Sequence, residues 1–196
     1  MDKSANQTGR EPAVAAPAAS SWKRGLLDLF ETVALAVVLF LVINAVSARV
    51  RVDGLSMLPT LHDGEFVLVN RLAYRLGTPA PGDIIVFRSV NQADLDLIKR
   101  IVGTPGDRIA IGDGKVVVNG TTLREPYINA APRYSGDWNV PDGYLFVLGD
   151  NRNDSSDSHA WGLLPTQNVI GKAILVYWPP PQWAMLDNVR IAVAAP

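Results

Sequence analysis

Two segments of the chain carry side chains that could do chemistry. Gly54-Leu55-Ser56-Met57-Leu58-Pro59-Thr60-Leu61 sets a serine among apolar residues, and Leu97-Ile98-Lys99-Arg100-Ile101-Val102-Gly103 sets a lysine after two aliphatic ones. A serine hydroxyl is a weak nucleophile at neutral pH and needs a base. A lysine amine can be that base only where its surroundings strip water from it and lower its pKa. Read as a strand, the second segment puts Lys99 on one face with Leu97 and Ile101, where an amine must be paired, snorkelled or neutral. Each residue alone has an ordinary explanation: a turn serine, and a charge on an edge strand. Gly54 gives the serine segment backbone freedom, and Pro59 stiffens its exit. A G-x-S-x-G nucleophile elbow is excluded, because Leu58 stands where the second glycine belongs.

A third segment, Gly149-Asp150-Asn151-Arg152-Asn153-Asp154-Ser155-Ser156-Asp157-Ser158-His159-Ala160-Trp161-Gly162, is dense in small hydrogen-bonding side chains and follows a hydrophobic run. It reads either as a solvated loop or as a polar scaffold that orients a catalytic group. An EF-hand loop fails on spacing, with Arg152 at the third place and Ser155 where glycine is required. A Ser56–His159–Asp157 triad has the right residue types, but His and Asp two residues apart do not easily stack in line with a serine.

The rest of the chain must position these residues. It has 196 residues, no cysteine, two histidines and a formal net charge of -1. That length allows one ordinary domain plus an appendage. Disulfides, thiolate metal sites and a cysteine nucleophile are excluded, and the charge gives no reason to expect nucleic acid. Residues 1–21 are rich in Ala, Ser, Pro, Gln and Asn without hydrophobic period, the composition of a disordered tail. Leu26 to Val46 is apolar on every face and, at about 1.5 Å per residue, long enough to cross a bilayer core. A buried soluble helix and a cleavable signal sequence are the rivals. Against the latter, no small-x-small site precedes a folded start. Lys23 and Arg24 flank one end and Arg49 and Arg51 the other, so charge alone does not orient the span.

Beyond Val46 the texture becomes short β-branched or aromatic runs at 50–52, 66–69, 84–87, 108–111, 116–118, 144–148 and 173–177. They are separated by turn signals such as Pro81-Gly82-Asp83, Asp113-Gly114, Asn119-Gly120 and Asp142-Gly143. This predicts a mainly β fold, with Lys115–Val118 as a strand between two tight turns in a small meander. Residues 90–95 read as a loop, and Trp178-Pro179-Pro180-Pro181 stops the last strand. The segment Asn188–Pro196 is too short to span a membrane.

In order, the chain shows an apolar span, an S-M-x-P-T-L turn, P-G-D-I-I-V-F, I-K-R-I-V-G-x-P-G-D and G-D-N-R-N-D-S-S-D-S followed by W-G. Over residues 26–178 this resembles the type I signal peptidases, membrane-bound Ser-Lys proteases that remove signal peptides from exported preproteins. The resemblance implies a peptidase domain of coiled antiparallel sheet behind one N-terminal transmembrane helix. It implies a cytoplasmic tail at 1–24, a span at 25–47 and an extracytoplasmic peptidase domain at 48–196, with a small meander at 107–143. It makes Ser56 the nucleophile and Lys99 the base. Ser155 becomes the hydroxyl that bonds the lysine amine and Asp157 a nearby structural carboxylate. Arg100 and Asp150 become a structural ion pair. The walls of a shallow cleft for Ala-x-Ala fall on Val50, Val52, Met57, Leu61, Val67, Val86, Leu97 and Ile98.

Two departures from the pattern stand out. Some members carry Ser where this chain has Gly54, so oxyanion stabilisation falls to the Ser56 backbone N–H, with Gly54 itself as a candidate second contributor. His159 replaces a common Arg and is a weaker, pH-dependent partner for Asp157. The expectation is a monomeric bacterial inner-membrane serine endopeptidase, N-terminus inside, with preproteins and the lipid bilayer as partners. No nucleic acid, metal or organic cofactor is expected. The rivals are a self-cleaving repressor-type Ser-Lys protease, which lacks its DNA-binding helices here, and a non-catalytic membrane-anchored β-module that binds exported peptides.

Overall fold

The computed structural model describes residues 21–92, 94–186 and 192–193. The apolar span forms α1 (Ser21–Val46), 26 residues long. Its large side chains from Leu26 to Ile43 are exposed throughout, and the helix is long and apolar enough to cross a membrane. The chain divides into two compact units after Val42.

The second unit is antiparallel β, as the alternating runs and turns predict. Its strands are β1 (Ser47–Arg51), β2 (Phe66–Asn70), β3 (Ile84–Arg88), β4 (Asp96–Gly103), β5 (Arg108–Gly112), β6 (Lys115–Val118), β7 (Thr121–Arg124), β8 (Gly136–Asn139), β9 (Tyr144–Leu148), β10 (Leu164–Pro165), β11 (Val169–Trp178), β12 (Ala184–Met185) and β13 (Ala192–Val193). Two single-turn helices, α2 (Ala73–Leu76) and α3 (Ser158–Trp161), interrupt them. Among the described residues, an eight-strand sheet runs β1-β2-β11-β3-β4-β9-β10 with β12 on β11, and a second runs β13-β7-β6-β5-β8.

The hairpins of the second sheet follow from their turn residues. Asp113-Gly114 and Asn119-Gly120 all take positive φ, the backbone that a two-residue turn of the strands' own twist requires. Ile109, Ile111, Val116, Val118 and Leu123 pack with Val102, Phe146 and Leu148 of the main sheet, so both sheets share a core.

The serine segment lies between β1 and β2. Val52 N–H donates to Glu65 O at 2.8 Å and Gly64 N–H to Val52 O at 2.9 Å, closing the segment at its base. Met57 and Leu61 then drop into the cluster formed by Val67, Val69, Ile84, Val86, Ile98, Ala173 and Val176. Burying each contributes about 1.5–3 kcal/mol, so the segment is fixed to the sheet by its own apolar side chains. Tight approach at the centre depends on Gly171 of β11, where a Cβ would collide with the backbone carbonyl of Asn70. Gly171→Ala is expected to push β2 from β11 and cost about 1–3 kcal/mol. Thermal unfolding of the solubilised protein, followed by circular dichroism, should show a lower midpoint, and an unchanged one would refute this packing.

Candidate active site

Ser56 sits at a turn closed by Leu58 N–H donating to Leu55 O at 3.2 Å, with Leu61 N–H donating to Met57 O at 2.9 Å just beyond. Lys99 reaches it from the middle of β4. The amine lies 2.7 Å from Ser56 Oγ and 3.0 Å from Ile98 O. Only 3% of Lys99 is exposed. Burial pushes the amine down to about 8, against the opposing pull of Asp157 and then Asp150. A neutral amine at that distance can accept the Ser56 hydroxyl proton, whereas a protonated one donates to the oxygen.

The next residue solves burial differently. Arg100 meets Asp150 in a two-pronged pair, Nε to Oδ1 at 2.8 Å and Nη2 to Oδ2 at 2.7 Å. Its Nη1 donates to Gly82 O at 2.9 Å, and the guanidinium lies 4.1 Å from the Tyr127 ring centre. Thr60 Oγ1, four residues after Ser56, donates to the same carboxylate. One buried pair thus ties the lysine strand, the serine segment and the exit of β9 together.

The polar segment after β9 is a scaffold. Asp157 accepts from Gly149 N–H at 2.8 Å, caps α3 through His159 N–H, and lies 2.6 Å from His159 Nδ1. Tyr134 stacks on the His159 ring with centroids 3.8 Å apart. The histidine is therefore engaged with Asp157 and Tyr134 while the serine faces the lysine, and no Ser56–His159–Asp157 triad is assembled. Arg152, also buried, joins Glu125 at 2.7 Å and donates to Gly149 O at 3.0 Å.

Three expectations need correction. Ser155 does not bond the lysine: Lys99 Nζ is turned to Ser56 Oγ and Ile98 O, and Ser155 Oγ is buried without a partner. It is nonetheless close, since a Cβ on Gly149 would touch both Ser155 Oγ and Ser56 O. Gly54 cannot lend its N–H to an oxyanion, because that group donates to Asp63 Oδ1 at 2.7 Å. Its φ of +99° explains the glycine, since a side chain there would strain the backbone. Of the expected cleft residues, Val52, Met57, Leu61, Val67, Val86 and Ile98 form one cluster with Val50 packed against it, but Leu97 belongs to another with Ile85, Phe87 and Ile101. Leu61, Val67 and Val86 have no exposed surface, so they lie beneath any wall that a substrate touches.

Sequence reasoning left Asn151 and Thr60 without roles, although both stand inside the blocks it singled out. Asn151 N–H donates to Ser56 O at 3.0 Å and its side-chain amide to Leu55 O at 3.1 Å. A polar loop residue carries no signal in one sequence that it will meet the serine turn.

Comparison with known proteins identifies the family. Residues 26–178 match the family model described as signal peptidase, peptidase S26. A signal peptidase I of Leptolyngbya laminosa is 40% identical over 181 residues, covering 86% of each chain. A probable signal peptidase I-2 of Synechocystis sp. is 38% identical over 179 residues, covering 88% of this chain and 80% of its own. Signal peptidase IB of Staphylococcus aureus is 35% identical over 177 residues, covering 80% and 92%. The chain belongs to the signal peptidase family, and it is a serine protease of the signal peptidase I type that removes signal peptides from preproteins.

The buried amine also sets a stability slope. Between about pH 8, where the folded amine loses its proton, and 10.5, its ordinary value, the unfolded chain holds one more proton than the folded one. Stability from this group therefore rises with pH across that window, and the penalty is fully present below it. Lys99→Met should be more stable than the parent at pH 7, by on the order of 3 kcal/mol, with the gap closing toward pH 10.5. Urea unfolding at several pH values would show this, and a pH-independent gap would contradict it.

Proposed function

We propose that Ser56 is the nucleophile and Lys99 the general base for signal-peptide cleavage. The observation that carries this is the 2.7 Å approach of Lys99 Nζ to Ser56 Oγ by an amine held near pKa 8. At pH 7.5 roughly a quarter of such amines are neutral, against about one in a thousand for an ordinary lysine. Neutral Lys99 takes the hydroxyl proton as Oγ attacks the scissile carbonyl carbon. The Ser56 N–H, which among the described residues has no hydrogen-bond acceptor, faces the developing oxyanion. The ammonium then gives its proton to the departing amine as the C–N bond breaks, leaving an acyl-enzyme. Lys99 next takes a proton from a water whose oxygen attacks the acyl carbon, and gives it to Ser56 Oγ as the ester C–O bond breaks, which releases the signal peptide and restores the serine.

The substrate is a preprotein whose signal peptide ends in Ala-x-Ala. Val52, Met57 and Ile98, which share one apolar cluster next in sequence to the serine turn and to Lys99, support a preference for small side chains before the cut. Residues 25–47 anchor the protein in a bacterial inner membrane, with 1–24 in the cytoplasm and the 48–196 peptidase domain, including the 107–143 meander, outside. The enzyme acts as a monomer. Anchoring confines enzyme and signal peptide to one surface, which raises their effective concentration.

Ser56→Ala and Lys99→Ala should each abolish cleavage of an Ala-x-Ala preprotein by the detergent-solubilised full chain. For the parent, kcat/KM should rise with pH through a midpoint near 8, since the neutral amine is the active form. Cleavage that persists in either variant, or a profile flat across that range, would refute the dyad. An inert parent would favour a peptide-binding module.

A further inference from the structure

Position 54 of the serine turn is a glycine with no hydroxyl to offer, and its N–H is committed to Asp63. The remaining oxyanion donor is the Ser56 N–H. That group belongs to the peptide unit joining Leu55 to Ser56, which is trans. In a planar trans unit the C=O and N–H point in opposite directions, so whatever holds the carbonyl aims the N–H.

Leu55 O accepts two hydrogen bonds. One comes from Leu58 N–H within the turn, at 3.2 Å. The other comes from Asn151 Nδ2 across the site, at 3.1 Å. Asn151 also grips the following peptide unit, its backbone N–H donating to Ser56 O at 3.0 Å. The two peptide planes that flank the Ser56 Cα are therefore both pinned by one residue, ninety-five positions away in sequence. Asn151 is itself held in place. It follows Asp150, which is locked to Arg100, and its carbonyl accepts from Asp154 N–H at 3.0 Å. Gly149, two positions before Asn151, has no room for a side chain between Ser155 and the Ser56 carbonyl, which keeps the loop pressed against the turn.

We infer that Asn151 is a positioning residue for the oxyanion hole: its side-chain amide, through Leu55 O, aims the Ser56 N–H at the carbonyl oxygen of the scissile bond. This rests on Ser56 being the nucleophile. Asn151 touches neither the substrate nor the amine of Lys99. Its contribution is felt in the tetrahedral transition state, when charge collects on that oxygen, and not in substrate binding.

The test uses the detergent-solubilised full chain and a peptide substrate with an Ala-x-Ala cleavage site. Asn151→Ala removes the side-chain bond and leaves the backbone one. It should lower kcat about 10- to 100-fold with KM within twofold, because one misaimed donor weakens only the transition state. A peptide boronic acid, whose serine adduct is a tetrahedral anion, should lose affinity by a similar factor. The midpoint of the pH–rate profile should stay where Lys99 sets it. Asn151→Leu keeps the branched outline of the side chain without the amide and should show the same loss, which separates aiming from packing if the alanine variant folds poorly. Full activity in either variant, a loss confined to KM, or a moved pH midpoint would overturn the inference. Ser56→Ala, run beside them, keeps the two readings apart. Cleavage there would dismiss the nucleophile itself, whereas an inert Ser56→Ala with an active Asn151→Ala would dismiss only the positioning role.

Discussion

Withdrawal of the Lys99 amine from water is the constraint on which the rest of the site depends. A charged ammonium buried this deeply is costly, and the protein lowers the cost by favouring the neutral form. That requires an apolar wall, and β3 and β4 supply it: Ile85 lies directly across from Lys99 in the register, and Leu97 and Ile101 share its face of β4. It also requires that no carboxylate come close enough to stabilise the charge. Among the described residues none forms an ion pair with Lys99, although Asp157 and Asp150 lie near enough to pull on its proton. The amine is thus balanced between burial, which favours a free base, and two carboxylates at a distance, which limit how far its pKa falls.

Arg100 shows the contrast on the adjacent position of the same strand. A guanidinium does not give up its proton, so its burial has to be met by a partner, and Asp150 meets it through both oxygens. Breaking such a pair leaves an uncompensated buried charge, which typically costs 3–5 kcal/mol. Because Thr60 shares the Asp150 carboxylate, the pair also holds the serine segment to the lysine strand.

Much of this was legible in the sequence. Asp-Gly and Asn-Gly between β-branched runs marked the hairpins, since few other dipeptides accept two successive positive φ values. The alternation around Lys99 placed it on an apolar face. What escaped was set by contacts distant in sequence. Thr121–Arg124 and Gly136–Asn139 are too polar to read as strands, and they form because β6 and β5 offer them hydrogen-bonding edges. The helix at Ser158–Trp161 is one turn long and exists through the Asp157 cap, a signal too short for periodicity. The lysine–Ser155 bond came from resemblance, and the side-chain geometry here sends the amine elsewhere. Leu97 was grouped with Ile98 as one wall, but neighbours on a strand point to opposite faces and join different clusters.

The central claim is that burial lowers the Lys99 amine far enough for a working fraction of it to be the free base near neutral pH. The chain has five lysines, few enough for lysine labelled with ¹³C at Cε to give separate NMR signals. Titrating the detergent-solubilised protein should show one signal moving with a midpoint near 8, absent from Lys99→Met. Five signals that all titrate above pH 10 would contradict the account.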